Sequence, residues 1–177
     1  MNLPSQPNSP SRQAASPWRN RLVASLLLIL AGLPLLAAGE DADALPVLEV
    51  QRLDGSRQAL SDSRGVVTLV VIWSPESLAS RKSLGELQRF TARHPPGEIN
   101  VIAAATEGDA AQLRQFASER KLDLPLSIVG VTNLGPFPEA TLPHVLIIDG
   151  DGSLRAAHRG LFRLQTLEQL VAPPRRP

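Results

Sequence analysis

Two hydroxyls three residues apart, Ser77 and Ser80, stand in the run Ile72-Trp73-Ser74-Pro75-Glu76-Ser77-Leu78-Ala79-Ser80-Arg81-Lys82. The run follows an apolar β-branched stretch, Val66–Ile72, and opens a helical pattern with Leu84, Leu87 and Phe90 on one face. A helix start exposes unpaired backbone N–H groups and a partial positive charge, a setting in which chemistry is often presented. Serine can serve there as a nucleophile only with a base in reach, and otherwise caps the helix. The candidate bases are His94, His144 and His158. The chain has no cysteine, which excludes disulfides, thiolate metal sites, iron–sulfur clusters and a thiol nucleophile of its own.

The elements that position these residues must fit in 177 residues, enough for one ordinary domain and a short extra segment. Apolar content of 43% supports a packed core, while 3% aromatic residues and no Tyr offer few platforms for stacking bases. The net charge is +1, and residues 1–39 hold three arginines and no acid, so the remainder is −2. No basic run marks a nucleic-acid surface.

Residues 1–21, rich in Pro, Ser, Asn and Gln, are expected to be a disordered basic leader ending in Arg19-Asn20-Arg21. Residues 22–39 then form a signal peptide or an N-terminal membrane anchor. Leu22–Ala38 is free of charge, Pro34 breaks it near its end, and Ala37-Ala38-Gly39 suits cleavage before Glu40. Either way the rest of the chain faces the periplasm or the exterior, and membrane contact is confined to residues 22–38. A linker covers 40–45, a folded domain 46–172 and a tail 173–177.

Within the domain, Val47–Leu53 and Arg57–Leu60 read as a hairpin around Asp54-Gly55. Val66–Ile72 and Ile99–Ala105 read as strands buried on both faces. Helices are expected from about Leu78 to Arg93 and from Ala110 to Lys121, the second capped by Asp109. A short strand Leu124–Val129 precedes an irregular stretch, Gly130–Thr141. His144–Ile148 and Ser153–His158 form a second hairpin around Asp149-Gly150-Asp151-Gly152, and a helix around Leu164, Leu167, Leu170 and Val171 closes the chain. The four-residue turn has the Asp-rich composition of a calcium loop, but Asp-Gly is first a hairpin signal. Arg81 and Lys82 are expected on a solvated helix face. The order gives an α/β protein, a three-layer sandwich with a central mixed sheet flanked by helices and an N-terminal hairpin extension.

This layout resembles the thioredoxin fold, more narrowly the TlpA/ResA-like periplasmic redoxins. The segments that carry it are Asp54–Gly65, the strand ending at Trp73, Phe116–Leu126, Leu142-Pro143 with Val145–Asp149 and Asp151-Gly152, and Arg159-Gly160. The resemblance puts Ser77 and Ser80 where the family has its two cysteines. A rival register, lower in rank, lays Trp73-Ser74-Pro75-Glu76-Ser77 on Trp-Cys-Pro-x-Cys; both leave serines for cysteines. It also makes Pro143 the family's cis-proline, whose preceding residue pairs with an extended peptide.

The implied site is a peptide groove of Trp73, Ser77, Leu78, Ala79, Ser80, Leu142, Pro143 and His144, with no catalytic residue, metal or cofactor. Its partner would be an extended or unfolded polypeptide, or an envelope redox or cytochrome-assembly protein. The expected role is that of a redox-inactive peptide-binding, chaperone-like or scaffolding module. One alternative is thiol-disulfide oxidoreductase function retained through a partner's thiols. Another is a hydrolase in which Ser77 uses His144, the one histidine that the fold would bring near. Trp73 is expected to be partly buried at the groove edge.

Overall fold

The computed structural model describes residues 45–95 and 97–173. The expected leader, the apolar segment, nearly all of the linker and residues 174–177 lie outside the described residues. No helix among the described residues is long and apolar enough to cross a membrane.

The order is β1 (Leu48–Arg52), β2 (Arg57–Ala59), β3 (Thr68–Trp73), α1 (Leu78–Thr91), β4 (Asn100–Ala105), α2 (Ala110–Arg120), β5 (Leu126–Thr132), β6 (His144–Ile148), β7 (Leu154–Arg159) and α3 (Leu164–Val171). Short 3-10 turns cover Leu60–Ser63 and Glu139–Thr141. One seven-stranded mixed sheet runs β2-β1-β5-β4-β3-β6-β7. β3, β4 and β5 are mutually parallel neighbours, and the remaining pairs are antiparallel.

β3 is the centre of the sheet, and all six of its residues are buried. Its unbroken apolar run fits a strand covered on both faces. Alternation sends Leu69, Val71 and Trp73 to one face, where Leu84, Leu87 and Phe90 of α1, Leu113 of α2 and Leu167 of α3 also pack. Val70 and Ile72 go to the other face, with Leu48, Val50, Ile102, Leu146 and Ile148. All three helices thus lie on one face. Among the described residues, the opposite layer is built by Leu60 of the first 3-10 turn and by Leu134, Phe137 and Leu142 of the stretch before β6. The third layer of the expected sandwich is therefore turn and loop rather than helix.

Both Asp-Gly turns use the same device. Asp54 Oδ1 accepts from Ser56 N–H at 2.9 Å and from its Oγ at 2.6 Å; Asp151 Oδ1 accepts from Ser153 N–H at 2.9 Å and from its Oγ at 2.7 Å. The side chain replaces a backbone acceptor. These bonds favour the charged form, so the carboxyls of Asp54 and Asp151 are held below the ordinary range. The residue following each Asp, Gly55 or Gly152, takes a left-handed φ of 89° or 93°. Arg155 then fastens the second hairpin: its Nη1 lies 3.2 Å from Asp149, and its Nη2 donates to the Val171 carbonyl at 3.2 Å.

The sequence pattern ends the strand before β6 at Val129, whereas β5 continues to Thr132. The extension exists because β1 pairs along it, Val50 with Val129 and Leu48 with Thr132, across an irregularity in register. Gly130 makes this approach possible, since a Cβ there would stand 2.9 Å from the Glu49 carbonyl oxygen. Gly130→Ala should therefore cost about 1–3 kcal/mol by forcing β1 and β5 apart. Gly85, exposed within α1 with open space around an added Cβ, should instead gain about 0.4–1 kcal/mol as Ala. Urea unfolding of both variants measures the contrast, and equal stabilities would contradict the close approach.

Candidate functional site

The β3–α1 junction must satisfy the first N–H groups of α1 next to a strand that admits no water. Ser77 does this, and Ser74 and Ser80 satisfy the amides of the turn before it. Ser77, in extended backbone, is the N-cap of α1, and its Oγ accepts from Ser80 N–H at 3.3 Å. Ser80 Oγ accepts from Ser74 N–H at 3.3 Å. Ser74 Oγ accepts from the N–H groups of Glu76 at 3.0 Å and Ser77 at 3.4 Å, and donates to Glu107 Oε1. Ser74, Ser77 and Ser80 are all buried. Each hydroxyl oxygen accepts from a backbone amide: Ser77 caps the helix, while Ser74 and Ser80 hold the turn that leads into it.

Arg81 completes the junction. Its Nη1 donates to the carbonyls of Pro75 and Glu76, each at 2.8 Å. Lys82 is on the solvated face as expected, whereas Arg81 folds back to clamp the turn. Glu107 was not foreseen. The usable signal is the parallel pairing of Trp73 with Ala105, which brings the residues after β4 beside those after β3.

The expected groove residues divide sharply. Trp73 is 0% exposed and packs on Phe116 with ring centroids 5.2 Å apart; it is core, not groove edge. Its indole N–H has no acceptor among the described residues. Ser77 and Ser80 belong to the cap network. Leu142, Pro143 and His144 are buried. The Leu142–Pro143 peptide is cis. The Leu142 N–H is already used, donating to the Glu139 carbonyl at 3.1 Å, while its own carbonyl accepts no bond among the described residues. Of the eight residues, Leu78 is exposed at 58% and Ala79 is half-buried.

One further apolar residue joins this surface. Leu161 is 53% exposed and follows Gly160, whose N–H donates to the carbonyls of Thr141 and Pro143 at 3.1 and 2.8 Å. The next residue, Phe162, donates its N–H to Ser83 Oγ at 3.2 Å, one helical turn beyond Ala79. Leu161 is thereby held between the Pro143 turn and the first half of α1.

His144 does not serve Ser77. Its alternation partners on β6 are Leu146 and Ile148, on the sheet face away from α1. Its Nε2 meets Thr141 Oγ1 at 2.8 Å, and its ring stands edge-on to Phe137 at 5.5 Å. Thr141 Oγ1 donates its one proton to the Pro138 carbonyl at 2.8 Å, so Nε2 is the donor to Thr141. His94 contacts Glu98 and Glu168, and His158 meets the Leu161 carbonyl. No histidine reaches Ser77 among the described residues, and the hydrolase alternative fails on geometry. The groups at this junction hold backbone in place and leave Leu78 and Leu161 exposed. No cluster of metal-ligating side chains occurs among the described residues.

Replacing the cap with Ser77→Ala should cost about 1 kcal/mol of stability, measured by chemical denaturation. Burial first, and then the charge of Arg159, hold the His144 pKa below the ordinary histidine value. Above about pH 6.5 the ring is neutral in both folded and unfolded chains. As pH falls below that value the unfolded chain takes up the proton first, so stability declines until the folded pKa is passed. The melting temperature should fall more steeply from about pH 7.5 to 5.5 in the parent than in His144→Gln, which retains His94 and His158. Parallel slopes would refute this.

No protein-family model matches the chain, and no curated protein matches it. Solved structures do. StoA from Bacillus subtilis is 16% identical, with a TM-score of 0.57 over 73% of this chain and 98% of that one. A DsbF homologue from Corynebacterium diphtheriae is 14% identical, with a TM-score of 0.60 over 72% and 83%. A secreted thiol-disulfide isomerase from Corynebacterium glutamicum is 17% identical, with a TM-score of 0.60 over 71% and 81%. At such identities the likeness establishes the fold, which is thioredoxin-like.

Proposed function

We propose that this thioredoxin-like chain is a redox-inactive polypeptide-binding module, exported to the cell envelope, with a chaperone-like or scaffolding role. The observation that carries the proposal is the serine junction. Ser77 and Ser80 occupy the positions where the resemblance sets cysteines; both are buried, Ser77 as the helix cap and Ser80 as the acceptor for the Ser74 N–H. Serine ionises far less readily than cysteine and forms no stable link to sulfur, so disulfide exchange has no nucleophile here. What the junction keeps is shape: a rigid helix start, the Pro143 turn, and exposed Leu78 and Leu161 beside them. Those leucines suit an apolar side chain of an extended polypeptide, or an envelope redox or cytochrome-assembly protein. The Leu142 carbonyl, in a residue that is itself buried, accepts no bond among the described residues, which leaves at most one backbone acceptor for strand-like pairing. Export is supported by the Arg-flanked apolar segment Leu22–Ala38 and by the secreted neighbour from Corynebacterium glutamicum.

A second reading, thiol-disulfide exchange through a partner's thiols, is favoured by the thiol-disulfide isomerase among the neighbours. One experiment separates the two. The full chain is assayed for insulin-disulfide reduction and for binding to an unfolded, thiol-blocked polypeptide. The proposal expects no reductase activity, and binding that weakens about tenfold or more in Leu78→Glu/Leu161→Glu. Reductase activity in the parent, or binding indifferent to both leucines, would overturn it. Reductase activity that appears only when a dithiol partner protein is supplied would favour the second reading.

A further inference from the structure

The far end of α1 carries a different kind of surface. α1 has 14 residues, which sets its two ends about 20 Å apart. There, an open cavity of 580 Å³ lies between the last turn of α1, the start of β4 and the end of β1. Its floor is apolar, formed by Phe90, Ile99, Val101 and Pro125, and its rim carries Arg52, Arg93 and His94. No acidic residue lines it among the described residues.

The cations are placed by separate means. Arg52 ends β1, and its backbone is fixed in the Asp54-Gly55 turn, donating to Ser56 O at 2.8 Å and accepting from Gly55 N–H at 2.9 Å. Its guanidinium has neither an ion pair nor a hydrogen bond among the described residues. Arg93 stands 3.8 Å from Glu168, at the outer limit of an ion pair. His94 lies against the Phe90 ring at 4.3 Å, and its nitrogens meet Glu168 at 3.3 Å and Glu98 at 3.5 Å. Cations at a helix C-terminus are commonly explained by the helix dipole. That accounts for Arg93 and His94. It does not account for Arg52, which comes from another element and lines the same space, while its charge also acts on Asp54 of its own turn.

We propose that this cavity is a binding site for a small organic carboxylate. The planar guanidinium forks of Arg52 and Arg93 would take the two carboxylate oxygens, and the apolar body would lie on the Phe90–Pro125 floor. The site is independent of the serine junction and of any polypeptide bound there.

Benzoate is the probe, with benzylamine as a cation of the same shape, and the backbone amide spectrum of the full chain is the readout. Titrated to about 10 mM, well above a millimolar Kd, benzoate should shift the amides of Thr91–His94 and Ile99–Val101 saturably. Those of Ser77 and Ser80 should stay unmoved. Benzylamine should leave all of them in place. Arg52→Ala and Arg93→Ala should each weaken benzoate about tenfold or more. Arg52 is exposed and its guanidinium makes no ion pair or hydrogen bond among the described residues, so its variant decides the matter if Arg93→Ala fails to fold. Equal shifts from benzylamine, no saturable shift from benzoate, or undiminished binding by Arg52→Ala would overturn the proposal.

Discussion

A helix that begins at the end of a fully buried strand has to find acceptors for its first amides without help from water. In this protein that constraint governs the β3–α1 junction. Ser77 answers it by accepting the Ser80 N–H, and the hydroxyl oxygens of Ser74 and Ser80 accept the amides of the turn that delivers the chain to it. Arg81 answers the complementary need, supplying donors to the carbonyls of Pro75 and Glu76. The direction of α1 follows from this junction. So does the placing of Leu84, Leu87 and Phe90 against Leu69, Val71 and Trp73. The hydroxyls are therefore committed before any ligand arrives. A side chain whose oxygen holds the helix start in place is a poor choice for bond-making, and a good one for keeping neighbouring side chains where they are.

The sheet distributes support unequally. One face receives all three helices, and the other receives turns and the stretch before β6. His144 belongs to the second face and ties that stretch to β6 through Thr141. Leu161 belongs to the helical side, between the Pro143 turn and Ser83. Pro143 is where the two layers meet, which is why the exposed apolar surface forms beside it rather than elsewhere along α1.

Much of this was legible in the sequence where the signal is local. The caps Ser77 and Asp109 were legible because capping depends on a few adjacent residues. So were the Asp-Gly turns, and so were β3, β4 and β6, whose uninterrupted apolar runs can hardly be anything but buried strands. The illegible parts depend on partners far along the chain. β5 runs past Val129 because β1 lies beside it, some eighty positions earlier in sequence. Trp73 is sealed by Phe116, which comes from α2. A strand buried on both sides carries no polar mark to say which face will meet the helices, so the direction of His144 could not be told from its neighbours. Arg81 looks like any surface cation until the carbonyls of Pro75 and Glu76 are seen pointing at it.

The sulfur content of the chain has a consequence for its lifetime. With no cysteine, and with methionine only at position 1, nothing in the folded core can climb the ladder from thiol to sulfonic acid or convert a thioether to a polar sulfoxide. Oxidants that would inactivate a cysteine-bearing relative of the same shape find no sulfur beyond position 1 to attack. The packing around Trp73 and Leu87 is accordingly immune to the commonest oxidative lesions. The durability of the protein in a harsh milieu is then a matter of how often it unfolds, not of how long its side chains survive.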